Sequence, residues 1–281
     1  MADIQEQFML QLTEDLVNNR VMLPTLPEVA LRVKKVVEDE RSTPAQIARM
    51  VGSDAALCTR LLRVANSAFY RGRGPVKNVQ EAISRLGMSQ VHNIVNALVM
   101  EQLYQMASLK ALRPHLARLW AHSTRVAAIA MVLARRYTRI SPEQAMLGGL
   151  IHDVGTLPIL SRAEGYPALF NNPKILADVI ADLHGDVGST ILESWHFPPE
   201  LAAAAAEHDD LTRDSGPVKD LVDVIQVANL LNYVGTDHRH TAVDWSTVPA
   251  FAKLGITPAM GIAILKEAAT EIHDTQAMLG T

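Results

Sequence analysis

The apolar residues of this 281-residue chain recur with the period of an α-helix. After Val29, for example, apolar side chains follow at Val33, Val36 and Val37, which places them on one helical face. Similar stripes continue along the chain, and none shows the alternation with period two that a half-buried strand requires. The pattern therefore predicts an all-α fold.

Composition favours the same class and suggests how the helices are grouped. Only 5% of the residues are aromatic, while 48% are hydrophobic, and Ala, Leu, Glu, Gln and Met, which favour helix over sheet, fill most segments. A chain of this length can build one large core or two joined ones. We predict two helical subdomains that share a long middle helix, at 1–110 and 111–236, and a C-terminal helical extension at 237–281 that packs on the same unit.

Charge and cysteine content exclude several functional classes. The net charge of −4 gives no strong nucleic-acid signal and no sign of binding to an anionic membrane. The single cysteine, Cys58, excludes an internal disulfide framework and fits a reducing compartment. The first residues are acidic and do not form a signal peptide, and apolar stretches such as 126–134 are too short to span a bilayer. We therefore expect a cytoplasmic bacterial protein without membrane insertion.

Histidines in the second half of the chain lie on apolar helical faces. His122, His184 and His208 each continue an apolar stripe of a different predicted helix. His152 precedes Asp153 within an apolar run, where a buried carboxylate needs a histidine, an arginine, a helix N-terminus or a metal beside it. One inward histidine is usually a hydrogen-bonded core residue. Several histidines with a His-Asp pair leave a core role and a metal site both open.

Four short stretches carry a more distinctive pattern. They are LPTLP at 23–27, LLRVANSAFY at 61–70, AISRLG at 82–87 and LIHDVG at 150–155. These resemble the LPxLP, LLRxANSAxY, AIxxLG and LLHDIG motifs of HDOD domains, which are relatives of the HD metal-dependent phosphohydrolases. The resemblance runs from about Leu23 to Asn229. It implies one HDOD domain at about 20–236, with an HD-type helical bundle as its second part.

The resemblance also implies a metal site. His122, His152 and Asp153 match the first three ligands of the HD pattern H…HD…D, in which a divalent metal activates water for phosphoester hydrolysis. His184 and His208 match histidines that complete a second metal site in HD-GYP phosphodiesterases. The implied cofactor is a divalent ion, with Fe, Mn, Zn, Ni and Mg as candidates. If the site is active, His152 and Asp153 are its catalytic residues.

Three positions depart from the catalytic pattern. The last aspartate of the pattern aligns with Asn229, whose amide can still ligate a metal but brings no negative charge. The lysine expected after the His-Asp pair is replaced by Thr156, which removes a cation able to meet phosphate. The usual His-His pair reads His208-Asp209. These departures indicate a degenerate site.

HDOD domains commonly serve as output or regulatory modules in bacterial signalling. The sequence therefore predicts a signal-transduction module that binds a signalling protein partner, or a nucleotide or cyclic dinucleotide ligand. The alternative is a divalent-metal-dependent phosphohydrolase that acts on a nucleotide or cyclic dinucleotide.

Overall fold

A computed structural model shows a chain built from α-helices and two short 3-10 helices. The structure describes residues 2–18, 35–36, 39, 41–52, 55–67, 70, 74–105 and 111–279, and no residue in these ranges lies in a β-strand. The predicted all-α class is confirmed. The LPTLP motif at 23–27 lies outside the described residues. None of the described helices has the length and apolar character needed to cross a bilayer.

Fifteen α-helices are defined within the described ranges. Those of the N-terminal part are α1 (Ala2–Val17), α2 (Pro44–Gly52), α3 (Ala55–Ala65), α4 (Val79–Leu86) and α5 (Met88–Gln105). The bundle contains α6 (Arg113–Tyr137), α7 (Pro142–Ile151), α8 (Thr156–Ala163), α9 (Pro167–Phe170), α10 (Pro173–Ser194), α11 (Pro199–Glu207) and α12 (Leu221–Asn232). The C-terminal helices are α13 (Pro249–Leu254), α14 (Pro258–Glu267) and α15 (Ala269–Met278).

Local sequence signals set several of these boundaries. Ser141 and Asn172 accept hydrogen bonds from backbone N–H groups in the first turns of α7 and α10, and a proline follows each cap as the first helical residue. Apolar periodicity predicts helices at 115–137, 142–152, 172–196, 198–208 and 218–234, and α6, α7, α10, α11 and α12 agree within three residues. The final helix expected at 258–278 is instead α14 and α15, because Ala268 leaves helical geometry.

The core of the bundle is built around α6 and α12. Every residue from 126 to 134 on α6 and from 221 to 231 on α12 is buried, so these segments are covered on all sides. Helix α7 approaches α6 closely at Gly149, where a Cβ atom would lie 2.5 Å from Cα of Ala127. The glycine allows the two backbones to meet, and this contact fixes the end of α7 beside the middle of α6.

A buried hydrogen bond joins the N-terminal part to the bundle. The hydroxyl of Tyr70 donates to Oε1 of Glu143 over 2.7 Å, and Glu143, in the first turn of α7, is only 4% exposed. The hydroxyl of Ser141 donates to the other oxygen of Glu143, also over 2.7 Å. Burial and the hydrogen bond to Glu143 raise the pKa of Tyr70, so the phenol remains a donor. The start of α7 is therefore attached to the N-terminal helices.

Candidate metal centre

Four helices and one turn bring the predicted site residues together. His122 lies on α6, His184 lies on α10, and His152 and His208 directly follow the last residues of α7 and α11. Asp153 lies in the turn that joins α7 to α8, where the N–H of Thr156 donates to the Asp153 carbonyl. Because each side chain is at a helix end or on a buried helical face, its position follows from the packing of the bundle.

Asp153 lies at the centre of this set. Its Oδ2 atom is 3.3 Å from Nε2 of His122 and 3.4 Å from Nε2 of His152. Its Oδ1 atom is 3.4 Å from Nε2 of His184 and 3.3 Å from Nε2 of His208. The two Nε2 atoms within each histidine pair are 3.1 Å apart. One carboxylate thus joins a first ligand group (His122, His152 and Asp153) to a second ligand group (Asp153, His184 and His208).

Backbone carbonyls fix the protonation of three of the rings. The Nδ1 atom of His152 donates to the Gly149 carbonyl over 2.8 Å, and that of His184 donates to the Ile180 carbonyl over 2.7 Å. The Nδ1 atom of His208 donates to the Ala205 carbonyl over 3.0 Å. A carbonyl can only accept, so Nδ1 carries the proton and Nε2 of a neutral ring presents its lone pair. This is the arrangement in which histidines bind metals.

His122 is held differently from the other three. Its Nδ1 atom lies 2.8 Å from Nδ2 of the Asn232 side chain, at the end of α12, so the amide donates to Nδ1 and the ring proton is on Nε2. Reversal of the amide, which has the same shape in both orientations, would make its oxygen accept the Nδ1 proton and would leave Nε2 free to ligate. The His122 ring also stacks on Tyr233, with 5.4 Å between centroids. Asn232, which belongs to none of the sequence motifs, lies one helical turn after Asn229 on the same face of α12.

The charges around Asp153 differ between the two groups. Burial lowers the pKa of His152 to about 3 despite the neighbouring carboxylate. Burial also acts to lower the pKa of His208, but the hydrogen bond to Asp153 and the charge of Asp209 outweigh it and raise the pKa to about 9. Burial acts to raise the pKa of Asp153, yet His152, His122 and His208 hold it well below its usual value. The bridging carboxylate is therefore ionised.

Asp209, noted in the sequence only as a departure, joins the second ligand group to a later segment. Its Oδ1 atom is 3.7 Å from Nε2 of His208, and its Oδ2 atom is 3.9 Å from Nε2 of His184. His240 donates to Oδ1 over 3.1 Å, and Arg239 donates to Oδ2 over 3.0 Å. Arg239 and His240 belong to no sequence motif, because each lies about thirty residues after Asp209 and meets it only in the folded chain.

Asn229 is the predicted ligand whose hydrogen bond leads away from Asp153. Its Nδ2 atom donates to Oδ1 of Asp209 over 3.2 Å, while its own Oδ1 atom is buried without a hydrogen-bond partner. An unpartnered buried amide oxygen has an unmet need for a donor or a cation. Thr156 is 6% exposed and begins α8. Metal ligation by Asn229 remains a prediction.

Glycines allow the elements that carry the ligands to approach closely. A Cβ atom on Gly155, two residues after Asp153, would lie 2.1 Å from the His184 carbonyl oxygen and 2.5 Å from the Gly188 backbone nitrogen. Only a residue without Cβ fits there, so the turn after Asp153 lies directly on the backbone of α10. This contact fixes the distance between Asp153 and His184.

The side chains present fit a divalent metal. Two histidine Nε2 atoms and one carboxylate oxygen converge in each ligand group. Hydrogen bonds orient the rings, as they usually orient histidines that bind a metal. Imidazole nitrogens suit Zn, Fe and Ni, whereas Mg prefers oxygen ligands. Four histidines around one bridging carboxylate therefore favour a transition metal among the ions considered. The fold and this centre define a helical protein with an HD-type histidine-aspartate site.

Comparison with known proteins agrees with that class. The family model of the HDOD domain matches residues 23–211, more than half of the chain. This chain therefore belongs to the HDOD family.

Solved structures and a curated relative extend the comparison. A Shewanella amazonensis protein whose name proposes a metal-dependent phosphohydrolase is 30% identical, with a TM-score of 0.85 over 99% of this chain and 100% of that one. A Marinobacter aquaeolei protein whose name proposes signal transduction is 20% identical, with a TM-score of 0.65 over 98% of this chain and 66% of that one, and shares the fold. An uncharacterised Treponema pallidum protein is 22% identical over 225 residues, which is 74% of this chain and 42% of that relative.

Proposed function

We propose that this chain is a signal-transduction module of the HDOD family whose histidine-aspartate centre binds divalent metal. The observation that carries the proposal is the position of Asp153, whose two oxygens each lie within 3.4 Å of two histidine Nε2 atoms. Hydrogen bonds to backbone carbonyls already place a proton on Nδ1 in three of these rings, so that Nε2 is the atom turned toward a metal. The module acts by binding a signalling protein, a nucleotide or a cyclic dinucleotide.

The chain's own residues favour binding over turnover. A divalent metal in this centre would polarise a phosphoryl oxygen and lower the pKa of bound water. Thr156 stands where a lysine would meet phosphate, and Asn229 supplies no negative charge. Asp209 is engaged by Arg239, His240 and Asn229. Asp153, which lies between the two histidine pairs, is therefore the carboxylate available to both groups.

A metal-dependent phosphohydrolase is the second candidate. The complete set of His122, His152, Asp153, His184 and His208 favours it, because a module without metal chemistry has no need of all five in one place. The name of the Shewanella relative points in the same direction.

Metal analysis of the full chain, purified without a His-tag, tests the proposal. We expect stoichiometric Fe, Mn, Zn or Ni by elemental mass spectrometry in the wild type. Asp153→Asn keeps the side-chain size but weakens both ligand groups, so the metal should be lost. Asp186→Asn, an exposed position on α10, is the matched control and should keep it. A wild-type chain that stays metal-free after each ion is supplied would overturn the metal centre.

The same proteins separate the two candidates. Each metal-loaded form is incubated with bis-p-nitrophenyl phosphate, nucleotides and cyclic dinucleotides, and the products are followed by chromatography. No turnover agrees with the signalling module. Metal-dependent hydrolysis that disappears in Asp153→Asn and persists in Asp186→Asn would replace it with the phosphohydrolase.

A further inference from the structure

The segment from His238 to Trp245, here called the strap, runs beside the second ligand group. It contains the 3-10 helix Arg239–Ala242 and begins beyond residue 211, where the HDOD match ends. His240 is 6% exposed, whereas the Arg239 side chain is 53% exposed. The strap therefore contacts Asp209 with one buried side chain, His240, and with one exposed side chain, Arg239.

Asp209 connects the strap to the second ligand group. Its Oδ1 atom accepts hydrogen bonds from His240 and Asn229, and its Oδ2 atom accepts one from Arg239. A carboxylate offers about four lone-pair positions, so these three donors leave about one of them open, on Oδ2. The same Oδ2 atom lies 3.9 Å from Nε2 of His184. Asp209 can thus interact with an ion at the second group without releasing the strap.

The other end of the strap is attached to the C-terminal helices. The indole Nε1 of Trp245 donates to the His240 carbonyl over 2.7 Å, so the position of His240 determines the surroundings of the indole. The Trp245 ring stacks on Phe251 of α13, with 6.2 Å between centroids. At the start of the strap, His238 stacks on Tyr233 with centroids 3.6 Å apart. A displacement of Asp209 would therefore act through His240 on the surroundings of Trp245, an intrinsic fluorophore.

We infer that the strap is the metal-coupled element of this module, in which Asp209 makes ion binding at the second ligand group and docking of the strap strengthen each other. Arg239 and His240 are the positioning residues, since they orient the carboxylate that faces His184 and His208. The inference rests on the proposed metal centre. It adds that the strap is the surface that responds when the second ligand group holds an ion. By linkage, whatever the docked strap adds to metal affinity, the metal adds to strap docking.

Zinc titration of the metal-stripped full chain measures the first half of this coupling. His122→Ala is introduced throughout, so that binding reports on the second ligand group, and Zn²⁺ affinity is measured by calorimetry. Residues that orient a metal ligand typically contribute 10–100-fold in affinity, so Arg239→Gln should weaken zinc binding about 10-fold. Arg239→Lys should restore part of the loss. Arg139→Gln, at an exposed position between α6 and α7, should change nothing.

Quenching of Trp245 by acrylamide measures the second half of the coupling, which is the effect of the metal on docking of the strap. Zn²⁺ suits this measurement because its filled d shell gives it no redox chemistry of its own. In the otherwise wild-type chain, zinc should protect a component of the emission, and Trp245→Phe should abolish this protection, which assigns it among the three tryptophans. Arg239→Gln should show zinc binding without protection.

Three outcomes overturn the inference. Unchanged zinc affinity in Arg239→Gln would show that the strap is independent of the metal. Tighter binding in that variant would show that the guanidinium only repels the ion. Equal quenching of Trp245 with and without zinc would show that the strap does not respond. A wild-type chain that binds no zinc or other ion would instead overturn the proposed metal centre, on which the inference rests.

Discussion

The two ligand groups share Asp153 but are fixed by different means. In the second group, His184 and His208 each donate from Nδ1 to a carbonyl of their own helix or its last turn, and their side chains are 7% and 1% exposed. In the first group, His122 is 16% exposed and depends on the Asn232 amide of another helix. The second group is therefore fixed by local backbone, whereas the first requires α6 and α12 to stay in register.

The largest expected effect comes from the contact that positions Asp153, the residue that both groups share. Gly155→Ala would put a Cβ atom 2.1 Å from the His184 carbonyl, so α10 must move away from the turn that carries Asp153. Overpacking of this kind costs about 3 kcal/mol. We expect a lower Tm in a thermal melt and loss of metal from both groups.

Gly52→Ala is the control for that substitution. Gly52 ends α2, and a Cβ atom there meets nothing within 4 Å. The control should melt like the wild type. If Gly155→Ala keeps both the wild-type Tm and the metal content, the dependence of the centre on this close contact is wrong.

A smaller effect on metal affinity is expected at Asn232, the residue that holds His122 in the first group but has no counterpart in the second. Asn232→Leu leaves Nδ1 of His122 without its amide partner, so the first group should lose about 10-fold in metal affinity. Calorimetric titration with Zn²⁺ should resolve two classes of site, of which only one weakens. Asn232→Gln retains the amide and should recover part of the affinity. Equal weakening of both classes would contradict the separation of the groups.

The smallest expected effect is a difference between the two ligand groups in the number of protons released when zinc binds. With a pKa of about 9, His208 is protonated at neutral pH and must lose a proton before it can ligate, whereas His152, with a pKa of about 3, is already neutral. Zinc binding at the second group near pH 7.5 should therefore release about one proton from His208, and its affinity should rise with pH up to about 9. Calorimetry in buffers of different ionisation enthalpy counts the protons.

The same shift predicts how the metal-free chain responds to pH. The pKa of His208 is raised above its ordinary 6.5, so its stabilising effect is complete below that value and is lost as the pH rises through about 9. Metal-free protein should therefore melt at a lower temperature above pH 9. His208→Gln should remove both this dependence and the released proton, and persistence of either would contradict the assignment to His208.

Local patterns allowed much of the fold and the histidine set to be predicted. His122, His184 and His208 could be placed on buried faces because helical periodicity is a property of neighbouring residues. The contacts that distinguish the two groups are not local. Asn232 meets His122 across 110 residues, and His240 meets Asp209 across 31 residues. Such pairings depend on how helices pack, which periodicity does not encode. Periodicity also does not define helix α8, because this helix has only eight residues and contains Pro158.

The Tyr70–Glu143 hydrogen bond limits how this chain can be recombined with its relatives. Glu143 and His152 lie near opposite ends of α7, a 10-residue helix about 15 Å long. A chimera that joins this bundle to a foreign N-terminal half without Tyr70 would deprive a buried carboxylate of one of its donors, at a cost of about 1–3 kcal/mol. A crossover between halves should therefore transfer Tyr70 together with α7, because this hydrogen bond matches the two parts to each other.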